Sequence, residues 1–186
     1  MAFKPRGIVV HSMGEYIQTS EGAEHAKNFL RGLGLSVHGF IDPEGRYIKM
    51  VNSKYRAYHA GVSEHLGLRG LNSHYLGFEL LVEGTHTYRT FKKAIEQPGV
   101  YSQAQFETAV DVTQYWMDKY GIPKSNVVRH SDVAGDNVRG KGKGKIDPGS
   151  AFQWEEFLSN LKLIRSLPHK ITFNICLLYT SDAADE

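Results

Sequence analysis

Cysteine is nearly absent from this chain of 186 residues, which contains only Cys176. A single cysteine excludes an internal disulfide and a four-cysteine metal site, so histidine and carboxylate would have to hold any bound metal. Long apolar runs are missing as well. The run before His11 has four residues, too short for the core of a signal peptide, and no stretch approaches the roughly eighteen apolar residues of a membrane span. We therefore expect a soluble protein, made in the cytoplasm without a signal peptide.

Net charge is also small, because 22 lysines and arginines oppose 20 acidic residues and leave a formal charge of +2. This balance argues against a protein whose whole surface binds nucleic acid. The length fits one domain with a substantial core. Beyond residue 167 the helical period stops and the chain ends in small and acidic residues. We predict a domain over residues 1–167 and a tail outside the domain over 168–186.

The hydrophobic pattern predicts a single α/β domain with a mixed β-sheet flanked by helices, in the order β-α-β-β-β-α-β-α. A capping box at Ser102 and Gln105 opens the clearest helix, and Gly121 ends it. The turn Asp42-Pro43-Glu44-Gly45 joins two strands of a hairpin. The remaining predicted elements are a strand at 7–13, a helix at 23–33, a strand at 75–83, a strand at 125–130 and a helix that runs from Trp154 to Ile164.

Two of the nine histidines stand apart because each ends a short apolar strand: His11 and His130. Strand ends in one sheet can lie side by side, so these imidazoles can converge. A catalytic zinc takes three protein ligands and leaves one position open. Spacing alone does not choose the third ligand among Asp132, Asp136 and Asp147. For the other isolated histidines we expect ordinary core or surface roles: His25, His65, His74, His86 and His169.

Two further features of the sequence bear on function. Glu79 lies in an apolar strand, where an unpaired carboxylate is costly and implies a partner or a chemical task; Glu83 is a rival on the same strand. The segment 135–142 begins like a phosphate-binding loop, but Gly142 stands where Ser or Thr should bind magnesium. The same glycine- and lysine-rich segment could instead make a nonspecific contact with a polyanion.

Five separated blocks of the sequence match a known family. They are IVVHSMGE, VHGFIDPEGR, AYHAGVSEH, LNSHYLGFELL and RHSDVAGDNVRGKGKGKIDPGSAFQW. Together they resemble the zinc-dependent N-acetylmuramoyl-L-alanine amidases, which include amidase-type phage lysozymes, cytoplasmic muropeptide-recycling amidases and peptidoglycan recognition proteins. The resemblance runs from Gly7 to Leu161.

The resemblance implies roles for particular residues. The zinc ligands would be His11, His130 and Asp147. Glu79 would transfer protons and Lys145 would stabilise the oxyanion. Three further residues would line the substrate groove: Tyr58, His59 and Asn72. His38, at another position shared with the family, would be structural.

The resemblance also implies hydrolysis of the amide between N-acetylmuramic acid and L-alanine. The glycine- and lysine-rich segment lengthens the gap between His130 and Asp147 relative to the recycling enzymes, and we expect it to be a flexible spacer that makes at most a weak contact with anionic cell-wall polymers. The first hypothesis is therefore a bacteriolytic phage or prophage endolysin that acts on the wall after release. The alternatives are a cytoplasmic anhydro-muropeptide recycling amidase and a non-catalytic peptidoglycan-binding module.

Overall fold

The computed structural model describes residues 3–17 and 21–162, so the predicted tail at 168–186 lies outside the described residues. The last predicted helix, from Trp154 to Ile164, is shorter in the structure and ends at Asn160. The elements follow one another along the chain in this order: β1 (Gly7–Tyr16), α1 (Gly22–Gly32), β2 (Gly39–Ile41), β3 (Tyr47–Lys49), β4 (Glu64–His65), β5 (Leu68–Arg69), β6 (Tyr75–Thr85), α2 (Tyr88–Ala94), α3 (Gln103–Tyr120), β7 (Val127–Arg129), α4 (His130–Ala134), α5 (Asp136–Arg139) and α6 (Trp154–Asn160).

The main sheet has five strands in the order β3-β2-β6-β1-β7. Strand β1 pairs in parallel with β6 and β7, and β2 pairs in parallel with β6. Only β3, at the edge, is antiparallel to its neighbour. The predicted mixed sheet with helices on its faces is therefore confirmed. The separate hairpin of β4 and β5 and the short helices α2, α4 and α5 were not predicted.

The central strands are apolar because both faces of the sheet are covered. Ile8, Val9 and Val10 in β1 are fully buried, as are Phe78 and Leu80 in β6. Parallel strands buried on two sides lack the alternation of polar and apolar residues that a half-exposed strand shows. One cluster packs the sheet against α3 and α6, and a second packs it against α1.

Helix α3 begins and ends where the sequence predicts. The Ser102 side chain accepts a hydrogen bond from the backbone N–H of Gln105 at 3.0 Å, and Gly121 adopts a left-handed conformation with φ 66°. The predicted capping box is only half formed, because the return hydrogen bond from the Gln105 side chain to Ser102 is missing. The Gln105 side chain does not return to Ser102; it donates to the backbone carbonyls of Ile41 and Leu81 at 2.8 and 3.0 Å, and so ties α3 to two strands of the sheet.

The hairpin of β2 and β3 is confirmed, and Asp42 organises its turn. The Asp42 carbonyl accepts the N–H of Gly45 at 2.9 Å, while its carboxylate accepts the backbone N–H of Arg46 at 2.8 Å. Gly45 has φ 78°, a left-handed conformation that glycine adopts without a steric penalty.

The sheet brings three polar residues together across the neighbouring strands β6, β1 and β7. His11 in β1 lies opposite Glu79 in β6, and Val10 lies opposite Arg129, the last residue of β7. His130 follows at once as the first residue of α4. Only His130 follows the end of its strand. The prediction that His11 ends a strand is wrong, because β1 continues to Tyr16 and β6 continues to Thr85, so His11 and Glu79 lie in the middle of these strands. No helix among residues 3–17 and 21–162 is long and apolar enough to cross a membrane.

Candidate metal centre and active site

Three buried side chains meet beside strands β1 and β7: His11, His130 and Asp147. His11 Nδ1 lies 3.0 Å from His130 Nδ1, and Asp147 Oδ2 lies 3.0 Å from His130 Nδ1 and 3.7 Å from His11 Nδ1. In the described part of the chain these residues form the one group of three that could hold a metal ion. The alternatives for the third position, Asp132 and Asp136, are both exposed.

Hydrogen bonds fix which nitrogen of His11 carries its proton. His59 Nε2 lies 3.1 Å from the carbonyl oxygen of Tyr75, and a carbonyl only accepts, so Nε2 of His59 must donate. A neutral imidazole has one N–H, so His59 Nδ1 is an acceptor. His11 Nε2, at 2.8 Å from it, therefore donates. The lone pair of His11 consequently lies on Nδ1, the atom that faces His130 and Asp147.

His130 is oriented in the same way. Its Nε2 lies 3.4 Å from the carbonyl oxygen of Ala60, which again can only accept. In the neutral ring the lone pair is therefore on Nδ1. Two imidazole lone pairs and one carboxylate oxygen then point at a common centre. These three electron-rich atoms repel one another unless a cation lies between them.

The spacing of these atoms suits zinc. Tetrahedral zinc with bonds of about 2.0–2.1 Å places its donor atoms about 3.3 Å apart, and the three separations here are 3.0, 3.0 and 3.7 Å. The donor set of two imidazoles and one carboxylate is also one that zinc accepts in catalytic sites, where one position stays open. Residues His11, His130 and Asp147 thus fit the metal that the family resemblance implies.

Burial and neighbouring charges keep His11 and Asp147 in the protonation states that bind a metal ion. Burial, with the nearby charge of His130, lowers the pKa of His11 to about 4. Burial alone would raise the pKa of Asp147, but the imidazoles of His130 and His11 outweigh it and hold that pKa well below its ordinary value. At neutral pH the His11 ring is therefore neutral and the carboxylate is ionised, which are the forms that bind a metal.

The backbone around Asp147 holds the third ligand in place. Its carboxylate accepts the N–H of Ser12 at 3.3 Å, and its carbonyl accepts the N–H of Ser131 at 3.0 Å. The Tyr101 hydroxyl donates to the carbonyl of Pro148 at 2.7 Å. Asp147 therefore belongs both to a turn before α6 and to the candidate metal centre, because the turn is anchored to β1, to α4 and to the loop before α3.

Glu79 lies beside the three ligands with an unsatisfied carboxyl group. It is 8 % exposed, and its Oε2 is buried without a hydrogen-bond partner among the described residues. Burial, together with the charge of Asp147, raises the pKa of Glu79 well above its ordinary value, and the charge of Lys145 opposes this. The rival Glu83 is exposed on the same strand. Glu79 is the carboxyl group that is placed to exchange protons at this site.

The glycine- and lysine-rich segment is not the flexible spacer that the sequence suggests. The Asp136 carboxylate accepts the N–H groups of Gly142 and Gly144 at 2.9 and 2.7 Å, and the N–H of Lys145 bonds to the carbonyl of Ala134 at 2.8 Å. These contacts give the segment a defined path. They also occupy backbone N–H groups that a phosphate-binding loop would offer to its ligand, consistent with rejecting a nucleotide site.

The lysines of this segment differ in their surroundings. Lys141, Lys143 and Lys145 are all exposed, but Lys145 lies close enough to the site for its charge to act on both Glu79 and His11. An ammonium group at this position can stabilise negative charge that develops during a reaction. The weak contact of the other two lysines with anionic cell-wall polymers stays a prediction.

The three residues expected to line a substrate groove have different surroundings. Tyr58 is 48 % exposed, and the Arg56 guanidinium lies over its ring at 4.7 Å. His59 is buried behind His11 rather than open to a groove. Asn72 Oδ1 accepts the backbone N–H groups of His59 and Ala60 at 2.9 and 2.7 Å. Tyr58 thus presents an exposed ring that a sugar could contact, whereas His59 and the half-buried Asn72 use these atoms to support the site.

His38 has the structural surroundings that the sequence suggests. It is fully buried, its Nδ1 accepts the N–H of Gly77 at 3.0 Å, and its Nε2 bonds to the carbonyl of Tyr55 at 3.0 Å. Both ring nitrogens are thereby satisfied by backbone groups. His38 joins β2 to β6 and to the loop before Tyr58, and it does not contact the three candidate ligands.

Sequence reasoning missed the support that backbone atoms give to the ligands. The Ala60 carbonyl orients His130, and the Ser12 N–H contacts Asp147. A backbone group has no signature in the sequence, because any residue except proline supplies the same N–H and C=O. The nearest signal was the position of Ala60 directly after His59, in a block that the family shares.

The fold and the site together define a class: a mixed α/β domain in which two histidines and an aspartate that could hold a metal ion lie beside a buried carboxyl group. Comparison with known families makes the assignment specific. The model of the N-acetylmuramoyl-L-alanine amidase family matches residues 2–150, and the chain belongs to that family. The resemblance seen in five sequence blocks is confirmed.

Individual relatives agree with this assignment. The chain is 36 % identical over 129 residues to 1,6-anhydro-N-acetylmuramyl-L-alanine amidase AmpD of Haemophilus influenzae, covering 69 % of this chain and 59 % of the relative. It is 34 % identical over 125 residues to AmpD of Escherichia coli, covering 67 % and 57 %. The chain thus spans less than two thirds of the length of these relatives. A crystal structure of a selenomethionine derivative of AmpD superimposes with a TM-score of 0.63 at 25 % identity, covering 86 % of each chain.

Proposed function

We propose that this protein is an N-acetylmuramoyl-L-alanine amidase that hydrolyses the amide between the lactyl group of N-acetylmuramic acid and L-alanine, with 1,6-anhydro-muropeptides as its preferred substrates. The observation that carries the proposal is the convergence of His11 Nδ1, His130 Nδ1 and Asp147 Oδ2 beside the unpaired carboxyl of Glu79. The named activity of the AmpD relatives supports the anhydro-sugar preference.

The metal would be held by His11, His130 and Asp147, with a fourth position left for the reaction. When bound there, zinc supplies Lewis-acid activation of the amide carbonyl and of water. The protein must then move a proton. Glu79 takes the proton from the attacking water and delivers it to the nitrogen of L-alanine, so that the C–N bond breaks to give a lactyl carboxylic acid and a free amine.

Lys145 and Tyr58 complete the proposed machinery. The Lys145 ammonium stabilises the negative oxygen that develops as water adds to the carbonyl, a role in which one donor is typically worth about 3–4 kcal/mol. The exposed ring of Tyr58, held by Arg56, offers a flat apolar surface for the sugar. His59 and Asn72 act behind the ligands and do not need to touch the substrate.

The relatives favour the recycling hypothesis over the endolysin hypothesis that the sequence first suggested. Six curated relatives that match this chain carry the name 1,6-anhydro-N-acetylmuramyl-L-alanine amidase. Endolysin structures share the fold, but at 22 % and 18 % identity they support nothing about substrate. The complete set of candidate ligands, with Glu79 and Lys145 beside it, argues against a module that binds peptidoglycan without cutting it.

The test is a parallel digestion of a soluble anhydro-muropeptide and purified sacculi by the zinc-loaded protein, with mass spectrometry of the products. We expect new L-alanine amino termini without new reducing ends, and faster cleavage of the soluble substrate. Asp147→Ala is the matched control and should lose zinc and activity while staying folded. New reducing ends, or full activity in Asp147→Ala, would overturn the proposal. Faster cleavage of sacculi would restore the endolysin hypothesis.

A further inference from the structure

One short segment of the chain contacts both candidate histidine ligands. His59 Nδ1 accepts from His11 Nε2 at 2.8 Å, and the carbonyl oxygen of the next residue, Ala60, lies 3.4 Å from His130 Nε2. These bonds set the tautomer of each ligand and the direction in which its Nδ1 lone pair points. The position of this segment, residues 59–62, therefore controls the geometry of two of the three ligands.

The segment 59–62 is held from two sides. Asn72 Oδ1 accepts its first two N–H groups. From the opposite direction, Arg139 Nη2 donates to the Ala60 carbonyl at 2.9 Å and Arg139 Nε donates to the Val62 carbonyl at 2.9 Å. A methyl group on Gly61 would lie 2.6 Å from Arg139 Nη2, so the guanidinium packs directly against bare backbone. Asn72 fixes the N–H groups and Arg139 fixes the carbonyls.

Arg139 comes from the glycine- and lysine-rich segment, the part of the sequence whose purpose was unexplained. It is the last residue of α5, and Asp136, at the start of the same turn, holds Gly142 and Gly144. The chain then continues to Asp147. One loop thus supplies the third ligand at its far end and, in its middle, the side chain that fixes the backbone behind the histidine ligands.

We propose that Arg139 is a positioning residue for the metal centre: by fixing the Ala60 carbonyl it orients His130, and it couples the path of the glycine- and lysine-rich loop to both histidine ligands. The inference rests on the proposed zinc site. The Ala60 oxygen has two lone pairs and receives both His130 and Arg139, so movement of this carbonyl after loss of Arg139 would lengthen a bond to His130 that is already 3.4 Å.

The test compares Arg139→Gln and Arg139→Lys with wild type. Lysine keeps the charge but cannot reproduce the fixed fork that donates to two carbonyls at once. Loss of outer partners of metal-bound histidine typically lowers metal affinity about 10- to 100-fold, and since Arg139 acts through Ala60 we expect about a tenfold loss in Arg139→Gln and a smaller loss in Arg139→Lys. Arg31→Gln is the matched control, because within residues 3–17 and 21–162 the Arg31 side chain donates only to exposed side chains of its own helix, Glu24 and Asn28.

Two measurements distinguish positioning from general stability. Zinc affinity is measured by competition with a chromophoric chelator, and the histidine tautomers of the metal-free protein are read from nitrogen-15 NMR at pH 8. We expect Arg139→Gln to bind zinc more weakly and to lose part of the Nε2–H form of His130, with a far-UV spectrum like that of wild type. Arg31→Gln should match wild type in both measurements.

The possible failures can be told apart. Wild type that binds zinc, together with an Arg139→Gln variant of equal affinity and unchanged His130 tautomer, would overturn this inference alone. Wild type that binds no zinc would overturn the proposed function and this inference with it. If Arg139→Gln does not fold, the same measurements are made on Arg139→Lys. A wild-type zinc affinity and a wild-type His130 tautomer in that variant would contradict the role of the guanidinium group that donates to both carbonyls.

Discussion

Replacing Glu79 by glutamine removes a titratable carboxyl group while keeping the shape of the side chain. The carboxyl lies in β6 directly opposite His11 and is 8 % exposed, so the amide should occupy the same space. In the proposed mechanism Glu79 carries the proton from water to the leaving amine. Glutamine cannot do so, although it leaves the three candidate ligands untouched.

The expected loss is large. A positioned general acid or base typically contributes about 10²- to 10⁴-fold to the rate, which corresponds to about 3–5 kcal/mol in the activation free energy at about 1.4 kcal/mol per tenfold. We expect kcat on a soluble anhydro-muropeptide to fall by this factor in Glu79→Gln, with KM and bound zinc nearly unchanged. A kcat within about threefold of wild type, with zinc bound, would refute the assignment of Glu79.

Glu79→Gln should also change how the free energy of unfolding depends on pH. Burial raises the pKa of Glu79 in the folded protein well above the 4.5 of an ordinary glutamic acid. Near neutral pH the unfolded chain therefore holds fewer protons than the folded one, and the metal-free protein loses stability as pH rises above about 4.5 until the folded pKa is passed. Urea unfolding should show Glu79→Gln gaining stability over wild type at pH 7, with the difference shrinking at pH 4. A difference that does not depend on pH would contradict the buried, unpaired state of this carboxyl.

Three further substitutions test separate parts of the structure. Lys145→Met should lower kcat about 10²- to 10³-fold without loss of zinc; an effect on KM alone, in steady-state kinetics, would contradict the oxyanion role. Gly77→Ala places a methyl group 2.5 Å from His59 Nδ1, so it should displace the ring that holds His11 and weaken zinc binding about 10- to 100-fold in a chelator competition; unchanged affinity would count against that hydrogen bond. Gln105→Leu removes the hydrogen bonds to two carbonyls of β2 and β6 and should cost about 1–3 kcal/mol in urea unfolding; a variant as stable as wild type would show that these bonds contribute nothing.

The elements that sequence predicts well are those fixed by local chemistry. Helix α3 follows from its N-cap Ser102 and its terminating Gly121, and the hairpin of β2 and β3 follows from the turn at Asp42. The short helices α4 and α5 and the hairpin of β4 and β5 have too few residues to show a period. Gln105 shows the limit of local rules, because strands distant in sequence compete with Ser102 for its side chain.

The candidate site likewise contains some residues that the sequence identifies and others that it does not. His11 and His130 could be singled out because each follows a short apolar run, although β1 continues past His11 to Tyr16. Choosing Asp147 over two other aspartates required either the family resemblance or the folded structure. The supporting contacts could not be predicted. They run through the carbonyl of Ala60 and the side chain of Arg139, and the conformation of the glycine- and lysine-rich loop that presents Arg139 depends on Asp136 bonding to residues six and eight positions later.

The central claim is that His11 Nδ1, His130 Nδ1 and Asp147 Oδ2 bind one zinc ion. A crystal of the zinc-loaded protein, measured on both sides of the zinc absorption edge, tests it most directly. We expect a single anomalous peak at about 2 Å from each of these three atoms, with His11 Nε2 still bonded to His59. A peak elsewhere, or zinc bound through the Nε2 atoms of the two histidines, would contradict it.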